Sequence, residues 1–512
     1  ITRSVSEFPL GFDQVVNIYN ATGLASDLHM KILFIQNNGV NESFIIVDIA
    51  AYLTSKGHAV DLLIAREEKR LLDRIAEFMP GLIVFPCSIL DKNWYFDLAA
   101  EIKKRFSCPI LFWGSAATFY PHSILENGHC DFVCRGEGEY AIEELAEALE
   151  NGRPYENVRN IGFRAQGRPV INPLRPLVAD LDSLPLPDRS IYYKYPFLKN
   201  INSKRFLTSR GCKQLCYACW NNAISNIYDN PDNFYRRKSS ARVIEEISNV
   251  KGRYGLTSLH FSDDLFIHPE YDGWLDELLG SYAQKIKIPF TCNARADYLR
   301  DNVIRMLARA GCRAVAMSVE SGSCRIRNEI LKKDITKEHI LAAAKRLDAA
   351  GIRLMTFNVM ALPEETIEDV CATVRLNQQI RADYSRVNML FPLSTSTLCR
   401  KAREMGLLST DCFEEIIGPG TQSFVPAFYK GKKKDFVNSY LLFCFAIRYR
   451  IPVAVLKVLI GLPLFFLYRM IWQIVCQLNE KQFFGVDLAS GFPYFWHTRG
   501  VTRRSENFTS IY

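Results

Sequence analysis

Short apolar runs alternate with helix-period segments from Met30 onward. Residues 31–35 (KILFI) read as a buried strand and residues 43–56 as a helix. A strand at 59–64 and a helix at 67–78 follow, then a strand at 82–86 (LIVFP) and a helix at 93–106. Residues 109–113 give a fourth strand, and a short fifth near 132–134 precedes a helix at 139–150. This rhythm predicts a parallel, doubly wound α/β sheet. Ligands of such sheets sit beyond the carboxyl ends of the strands. The residues expected there are small or polar: Asn37, Asn38, Gly39, Cys87, Ser88, Gly114, Ser115, Ala116 and Thr118. The loop Arg135-Gly136-Glu137-Gly138-Glu139 joins them. Such residues let backbone approach a ligand closely, and they also make ordinary tight turns.

Residues 152–189 are rich in Pro and Arg and read as a connecting segment of short strands and turns. A second series then begins. Its strands are expected at 205–208, 258–261, 289–294, 314–318, 353–359 and 384–389. Its helices are expected at 241–251, 271–283, 302–310, 337–350 and 366–379. Six repeating units predict a partial (β/α)6 barrel with its site at the strand carboxyl ends. The expected divisions are an extension (1–29), a Rossmann-like domain (30–150), a linker (151–200), the barrel (201–408) and a mainly helical C-terminal region (409–512).

Composition narrows the class. Of 512 residues, 48% are apolar and 23% charged, so the chain is neither disordered nor a small disulfide scaffold. The net charge of +8 is unevenly placed. After Tyr429, twelve basic residues face four acidic ones, and everything before is balanced. The body is therefore not a nucleic-acid surface by bulk charge. The tail from 441 to 476 is strongly apolar and aromatic. Its longest charge-free stretch, 458–468, is well short of the ~20 residues that span a bilayer. It reads either as helices packed on the barrel or as a basic interfacial element touching a membrane. The first 29 residues lack a basic end followed by an apolar run, so no secretory signal is expected. Most of the 15 cysteines are scattered singly, as in reducing compartments, which places the protein in the cytoplasm.

Three cysteines are clustered, in Thr208-Ser-Arg-Gly-Cys212-Lys-Gln-Leu-Cys216-Tyr-Ala-Cys219-Trp. Three thiolates at this spacing can hold three irons of a [4Fe–4S] cluster and leave the fourth open. The alternative is zinc, but a closed zinc site wants four ligands and no second C-x2-C pair exists.

The triad resembles that of the radical S-adenosylmethionine (SAM) superfamily, and further segments resemble its cobalamin-dependent branch. They are Phe261-Ser-Asp-Asp-Leu-Phe266, Asn293-Ala-Arg295, Ser318-Val-Glu-Ser-Gly322, Leu331-Lys332-Lys333 and Pro392-Leu-Ser-Thr-Ser-Thr-Leu398. Gly114 and the Arg135–Glu139 loop resemble the family's cobalamin-binding domain. The resemblance implies that Cys212, Cys216 and Cys219 ligate the cluster. It places Tyr217, Asp263, Asp264, Arg295, Ser318 and Glu320 at SAM. It places Asn37, Asn38, Ser88, Gly114, Ser115, Arg135, Gly136 and Glu137 at cobalamin. A carboxylate suits the SAM ammonium, and Arg295 suits its carboxylate. The bland alternatives are a loop or helix cap for Asp263 and Asp264, and a surface ion pair for Arg295.

Three departures stand out. Ala218 precedes the third cysteine, where the family often has an aromatic residue. The Gly-Leu-Pro-Gly-Glu-Thr loop appears as Ala361-Leu-Pro-Glu-Glu-Thr366. The D-x-H-x-x-G motif is missing, since Asp27-Leu-His29 lacks the glycine, so a lower His ligand to cobalt is not expected.

The implied chemistry is reductive cleavage of SAM, hydrogen abstraction from a small-molecule or lipid-like substrate, and methyl transfer from cobalamin to carbon or phosphorus. A flavodoxin- or ferredoxin-like donor would supply the electron. A cobalamin-dependent cyclisation or ring rearrangement is the runner-up, and a non-catalytic binding module the third reading.

Overall fold

The computed structural model describes residues 29–39, 42–214, 216–228, 233–390, 393, 395–407 and 433–484. Residues 1–28 of the expected extension, Pro392 and Ser394 of the last motif, and residues 408–432 and 485–512 lie outside them. Two compact units divide the chain. One runs to Gly39 and resumes from Ile46 to Arg175; the other holds Val40–Ile45 and continues from Pro176.

The first unit is a seven-stranded sheet in the order β2-β1-β3-β4-β5-β6-β7. Strands β1 (His29–Gln36), β2 (His58–Ile64), β3 (Leu82–Pro86), β4 (Ile110–Trp113) and β5 (Phe132–Cys134) are parallel. Ile32–Ile35, Leu82–Phe85 and Ile110–Phe112 are almost wholly shielded, as strands covered on both faces must be. The helices are α1 (Phe44–Ser55), α2 (Leu71–Phe78), α3 (Lys92–Lys103), α4 (Ser115–Phe119), α5 (Pro121–Glu126) and α6 (Glu139–Glu150). The stretch expected as a linker divides. Strands β6 (Ile161–Ala165) and β7 (Arg168–Ile171) extend this sheet antiparallel, and residues from Pro176 join the second unit. The strand order reverses between β1 and β3, the position at which open α/β sheets bind ligands.

The second unit is a six-stranded parallel sheet with strands in chain order. They are β8 (Ser203–Phe206), β11 (Ser258–Phe261), β12 (Phe290–Arg295), β13 (Cys312–Glu320), β14 (Arg353–Met360) and β15 (Tyr384–Met389). Between them lie α10 (Ser240–Tyr254), α11 (Asp272–Lys285), α12 (Asp301–Arg309), α13 (Lys337–Ala349) and α14 (Ile367–Gln379). Side chains alternate across the sheet. Val315, Met317 and Val319 join the main core with the helices, while Ala314 and Ala316 form a separate cluster with Met355 and Tyr384. This is the partial barrel expected from the six-unit rhythm.

Before β8 lie α7 (Ser190–Tyr193) and α8 (Pro196–Lys199), and a buried ion cluster on the same unit joins Arg189, ahead of α7, and Lys204 on β8 to Glu42 and Glu246. Arg189 meets Glu42 at 2.5 Å and Glu246 at 3.3 Å; Lys204 meets Glu42 at 3.3 Å. Burial opposes ionisation of Glu42, but Arg189 and Lys204 outweigh it and hold its pKa below the usual range.

After the barrel come α15 (Thr397–Glu404), α16 (Lys433–Arg448), α17 (Val453–Gly461) and α18 (Phe465–Phe484). Helix α16 packs on α14 and β15, where Phe436, Tyr440 and Phe443 share a core with Met360, Val370 and Val387. Gln378 donates to the carbonyls of Ala446 and Ile451, both at 2.9 Å, and so seals the end of α16. No described helix is long and apolar enough to cross a membrane.

Candidate functional site

In the second unit, the chemistry-bearing residues stand at the carboxyl ends of four adjacent strands. The loop after β8 is clamped at its base by β9 (Ser209–Arg210) and β10 (Arg236–Arg237), which pair antiparallel. Gly211 has φ 78°, and a Cβ there would fall on the Phe234 carbonyl. Only glycine makes the turn that delivers Cys212. Cys212 is buried, and its Sγ accepts from the Gln214 N–H at 3.3 Å. The Gln214 side chain reaches the Tyr298 hydroxyl at 2.6 Å.

Tyr217 is tied on both sides: its N–H donates to Leu331 and its carbonyl accepts from Leu398, each at 3.0 Å. The Lys401 ammonium lies 4.6 Å from its ring centre. The Cys219 N–H closes on the Cys216 carbonyl at 2.9 Å, and α9 (Trp220–Ser225) begins. Burial pushes the Cys212 thiol up to about 12 and Cys219 up to about 11. Both therefore keep their protons until a metal displaces them.

Beyond β11, Asp263 is fully buried. Its Oδ1 accepts from Thr208 N–H (2.8 Å), Thr208 Oγ1 (2.9 Å) and Ser209 Oγ (2.5 Å). Burial nevertheless holds its pKa above the usual carboxylate value. Asp264 is exposed and bonds the Asn221 side chain. Arg237 fixes this segment by donating to the Leu265 and Phe266 carbonyls at 3.1 and 3.0 Å.

On β12, Asn293 donates to the Asp263 carbonyl at 3.1 Å. Arg295 is buried, not at the surface, and forks onto Asp297 at 3.1 and 3.0 Å. It also donates to the Lys333 carbonyl at 3.0 Å. Ser318 on β13 is the register partner of Arg295. Glu320 ends β13 with φ 61° and pairs with Lys333 at 2.7 Å. Burial works against the Lys333 ammonium, but Glu320 and then Cys216 outweigh it and raise its pKa. Burial likewise works against the Arg295 charge, but Asp297 and then Cys216 outweigh it and raise its pKa. The cysteine loop, Arg295 and Lys333 thus share one electrostatic neighbourhood.

Three buried atoms here have no hydrogen-bond partner among the described residues: Asp263 Oδ2, Asn293 Oδ1 and Arg295 Nη1. Buried polar atoms left unpaired are costly, and in a native site they mark where a ligand completes the bonding.

In the first unit, the expected residues also lie at strand carboxyl ends, but neighbouring protein groups take up their hydrogen bonds. Asn37 N–H donates to Tyr95 Oη at 3.2 Å, and its Oδ1 accepts from Arg66 at 3.2 Å. The Asn38 carbonyl accepts from Gln36 at 2.6 Å. Ser88 N–H donates to Asp91 at 3.0 Å, and Ser115 Oγ accepts from Ile89 N–H at 3.0 Å. Gly114 has φ 108°, and a Cβ would meet the Cys87 carbonyl oxygen at 2.8 Å. The Arg135 side chain donates to Thr118 O at 3.3 Å, Gly136 N–H to Thr118 Oγ1 at 3.1 Å, and Asn160 to Glu137 O at 2.9 Å. Asp91 keeps its proton longer than usual, its pKa pushed up to about 6 by burial. His29 opens β1 at the amino end, opposite these loops.

Comparison with known proteins matches residues 206–376 to the radical SAM superfamily and residues 38–146 to the B12 binding domain. The chain is a B12-binding radical SAM protein.

An uncharacterized methyltransferase of Pyrococcus horikoshii, PH0819, is 27% identical over 303 residues, covering 59% of this chain and 64% of the relative. An anaerobic magnesium-protoporphyrin IX monomethyl ester cyclase of Synechocystis is 24% identical over 332 residues, 62% of each. The chain thus spans a little under two thirds of these relatives. Among solved structures, the radical SAM methyltransferase TsrM of Kitasatospora setae, with cobalamin and a [4Fe–4S] cluster bound, superposes with a TM-score of 0.61. Its identity is 16%, and the match covers 74% of this chain and 78% of that one.

The two domains imply three cofactors for this radical SAM protein: a [4Fe–4S] cluster, SAM and cobalamin. The residues fit the first two. Three thiols stand on one anchored loop. No three described His, Cys, Asp or Glu side chains converge as a single metal ion needs. A cluster spreads its thiolates over separate irons, so wider spacing suits it. The unpaired carboxylate, amide and guanidinium atoms match the ammonium and carboxylate of an amino acid such as the methionyl end of SAM. For cobalamin, the fit lies in the strand-order reversal between β1 and β3 and in the small, tightly turned residues at the strand carboxyl ends, such as Gly114.

Sequence reasoning did not single out Thr208, Ser209, Asn293 and Lys333 as site residues. All four lie inside or beside the quoted motifs, so motif membership was the available signal. Tyr298 and Arg237 carried none, because their partners come from distant segments.

Proposed function

We propose that this protein is a cobalamin-dependent radical SAM methyltransferase acting on an unactivated carbon, or a phosphorus, of a small-molecule or lipid-like substrate. One juxtaposition supports this reading most. The unpaired Asp263 Oδ2, Asn293 Oδ1 and Arg295 Nη1 stand on the strands next to the anchored three-cysteine loop. The methyltransferase names of PH0819 and TsrM support the reaction class.

When bound, the cofactors supply reductive SAM cleavage and methyl transfer. The chain's own residues prepare the site. Cys212, Cys216 and Cys219 offer three thiolates. Asp263 and Asn293 accept the SAM ammonium, and Arg295, already fixed by Asp297, donates to its carboxylate. Glu320, held by Lys333, and Ser318 face the remaining amino-acid or ribose portion. Tyr217 offers a ring beside the cysteines, and Asp264 is a second acceptor on the same loop. In the first unit, Asn37, Asn38, Ser88, Gly114, Ser115, Arg135, Gly136 and Glu137 border the cobalamin site. The electron comes from a flavodoxin- or ferredoxin-like donor.

A second reading is cyclisation or ring rearrangement without methyl transfer, favoured by the cyclase name of the Synechocystis relative. Anaerobic turnover of the reconstituted protein against candidate substrates separates them. A product gain of ~14 Da with S-adenosylhomocysteine release supports methylation. 5′-Deoxyadenosine formation with no mass gain of that size supports the second reading.

A further inference from the structure

Ten of the fifteen large apolar side chains exposed among the described residues fall between Tyr449 and Leu478. Helix α18 is apolar on two opposite sides. Tyr468 and Val475 are buried in the C-terminal core, with Phe465, Ile471 and Trp472 packed against it. Phe466, Met470, Ile474 and Leu478 recur every four residues and form a stripe along the outer side. Phe466 is 83% exposed, Met470 56% and Ile474 53%. Val458 on α17, 65% exposed, and Leu462 and Leu464 between the helices extend the apolar surface. Monomeric soluble proteins seldom leave so much contiguous apolar surface uncovered.

The charges that the segment itself carries have one sign. From Phe436 to Asn479 the chain carries Arg448, Arg450, Lys457 and Arg469 and no Asp or Glu. Arg450 and Arg469 are exposed. Lys457 reaches Glu368 on α14 at 2.6 Å, so one cation anchors α17 to the barrel. An apolar helical stripe edged by cations complements acyl chains beneath anionic headgroups. A protein partner would need acidic groups around an apolar groove. A membrane supplies both features over any area.

We propose that the outer face of α17 and α18 docks this protein on an anionic membrane surface. Phe466, Met470 and Ile474 enter the acyl boundary while Arg450 and Arg469 lie among the headgroups. The docking is peripheral, since no described helix is long and apolar enough to span. It stands independently of the reading of the active site.

Vesicle flotation of the reconstituted full chain tests it. Phosphatidylglycerol–phosphatidylcholine vesicles should carry the protein up, and phosphatidylcholine alone should bind at least ten-fold less. A Phe466→Glu/Met470→Glu/Ile474→Glu variant should lose binding by at least ten-fold while keeping its circular dichroism and iron content. Arg450→Gln/Arg469→Gln should bind several-fold more weakly and lose most of its salt dependence. As a readout that tolerates a folding defect, a bimane label on Phe466→Cys should shift to the blue with anionic vesicles. Absence of wild-type flotation overturns the proposal, and so does equal flotation of the folded triple variant. Two results would assign the face to another occupant and overturn it equally. One is a dimer, in light scattering, that the triple variant breaks. The other is vesicle binding only after deletion of residues 485–512.

Discussion

The two ligand-facing edges of this molecule are finished differently. In the first unit, the loops beyond β1, β3, β4 and β5 satisfy one another: Asn37 with Tyr95, Ser115 with Ile89, Gly136 with Thr118. In the second, Asp263, Asn293 and Arg295 each keep one buried polar atom without a partner among the described residues. A self-satisfied rim recognises by shape and needs little from its ligand electrostatically. An unsatisfied one recognises by charge and is costly when empty. Damage to the first should loosen a large cofactor gradually. Damage to the second should remove a small charged one sharply.

That contrast can be broken by mutation. The largest effect is expected at the cysteine loop. Cys216→Ala should abolish both the ~410 nm absorbance of the reconstituted cluster and SAM cleavage. Bound cobalamin should stay at the wild-type amount. Retention of absorbance and cleavage together would remove the cluster assignment.

Next comes Asp263→Asn, which keeps an oxygen for Thr208 and Ser209 but removes the charge. SAM affinity measured on the reconstituted protein should fall about 10- to 100-fold, the loss of one charge-assisted bond. Cluster absorbance should be unchanged. An unaltered SAM affinity would mean that Asp263 only ties the loop.

Gly114→Ala should cost the first unit about 1–3 kcal/mol, through an unfavourable φ and a contact with the Cys87 carbonyl. Cobalamin retention on gel filtration should drop several-fold, with SAM affinity unmoved. Equal losses of both ligands would erase the distinction between the two edges.

The smallest effect concerns Asp91. Its folded pKa is raised to about 6, so the folded state holds a proton that the unfolded state releases. Its contribution to stability is fullest below about pH 4 and is lost as pH rises toward 6. Asp91→Asn should lack that loss. The variant's melting temperature, relative to wild type, should therefore be higher at pH 7 than at pH 4.5, by an effect of order 1 kcal/mol. An identical difference at both pH values would show that the carboxyl ionises freely.

Legibility in the sequence followed the range of the interactions. The cysteine spacing is local, and so are the apolar runs that became β1 and β3. They could be read directly. The antiparallel pair β6–β7 was taken into a linker, because Pro169 and neighbouring Arg residues resemble connecting chain. Its pairing with β5 is a tertiary fact. The same holds in the site. Asp263 could be picked as an acid in a motif. That one oxygen would be consumed by Thr208 and Ser209 and the other left bare depends on segments more than fifty residues apart. Arg295 could likewise be picked from its motif, but that it is buried and forked onto Asp297, not in a surface ion pair, could not. In the tail, composition announced an apolar, basic region. Which of its faces were used up by α14 and β15 was not encoded in any local pattern.

The short excursion of Val40–Ile45 into the second unit bears on synthesis. Glu42 leaves the ribosome well over a hundred residues before Arg189 and Lys204, the cations that bury it. Until they arrive, that carboxylate lacks both of its cations. A barrel expressed from Pro176 would bury Arg189 beside Glu246 alone and lack one of its two acids. The units are thus two in architecture, but the gene does not divide where they do.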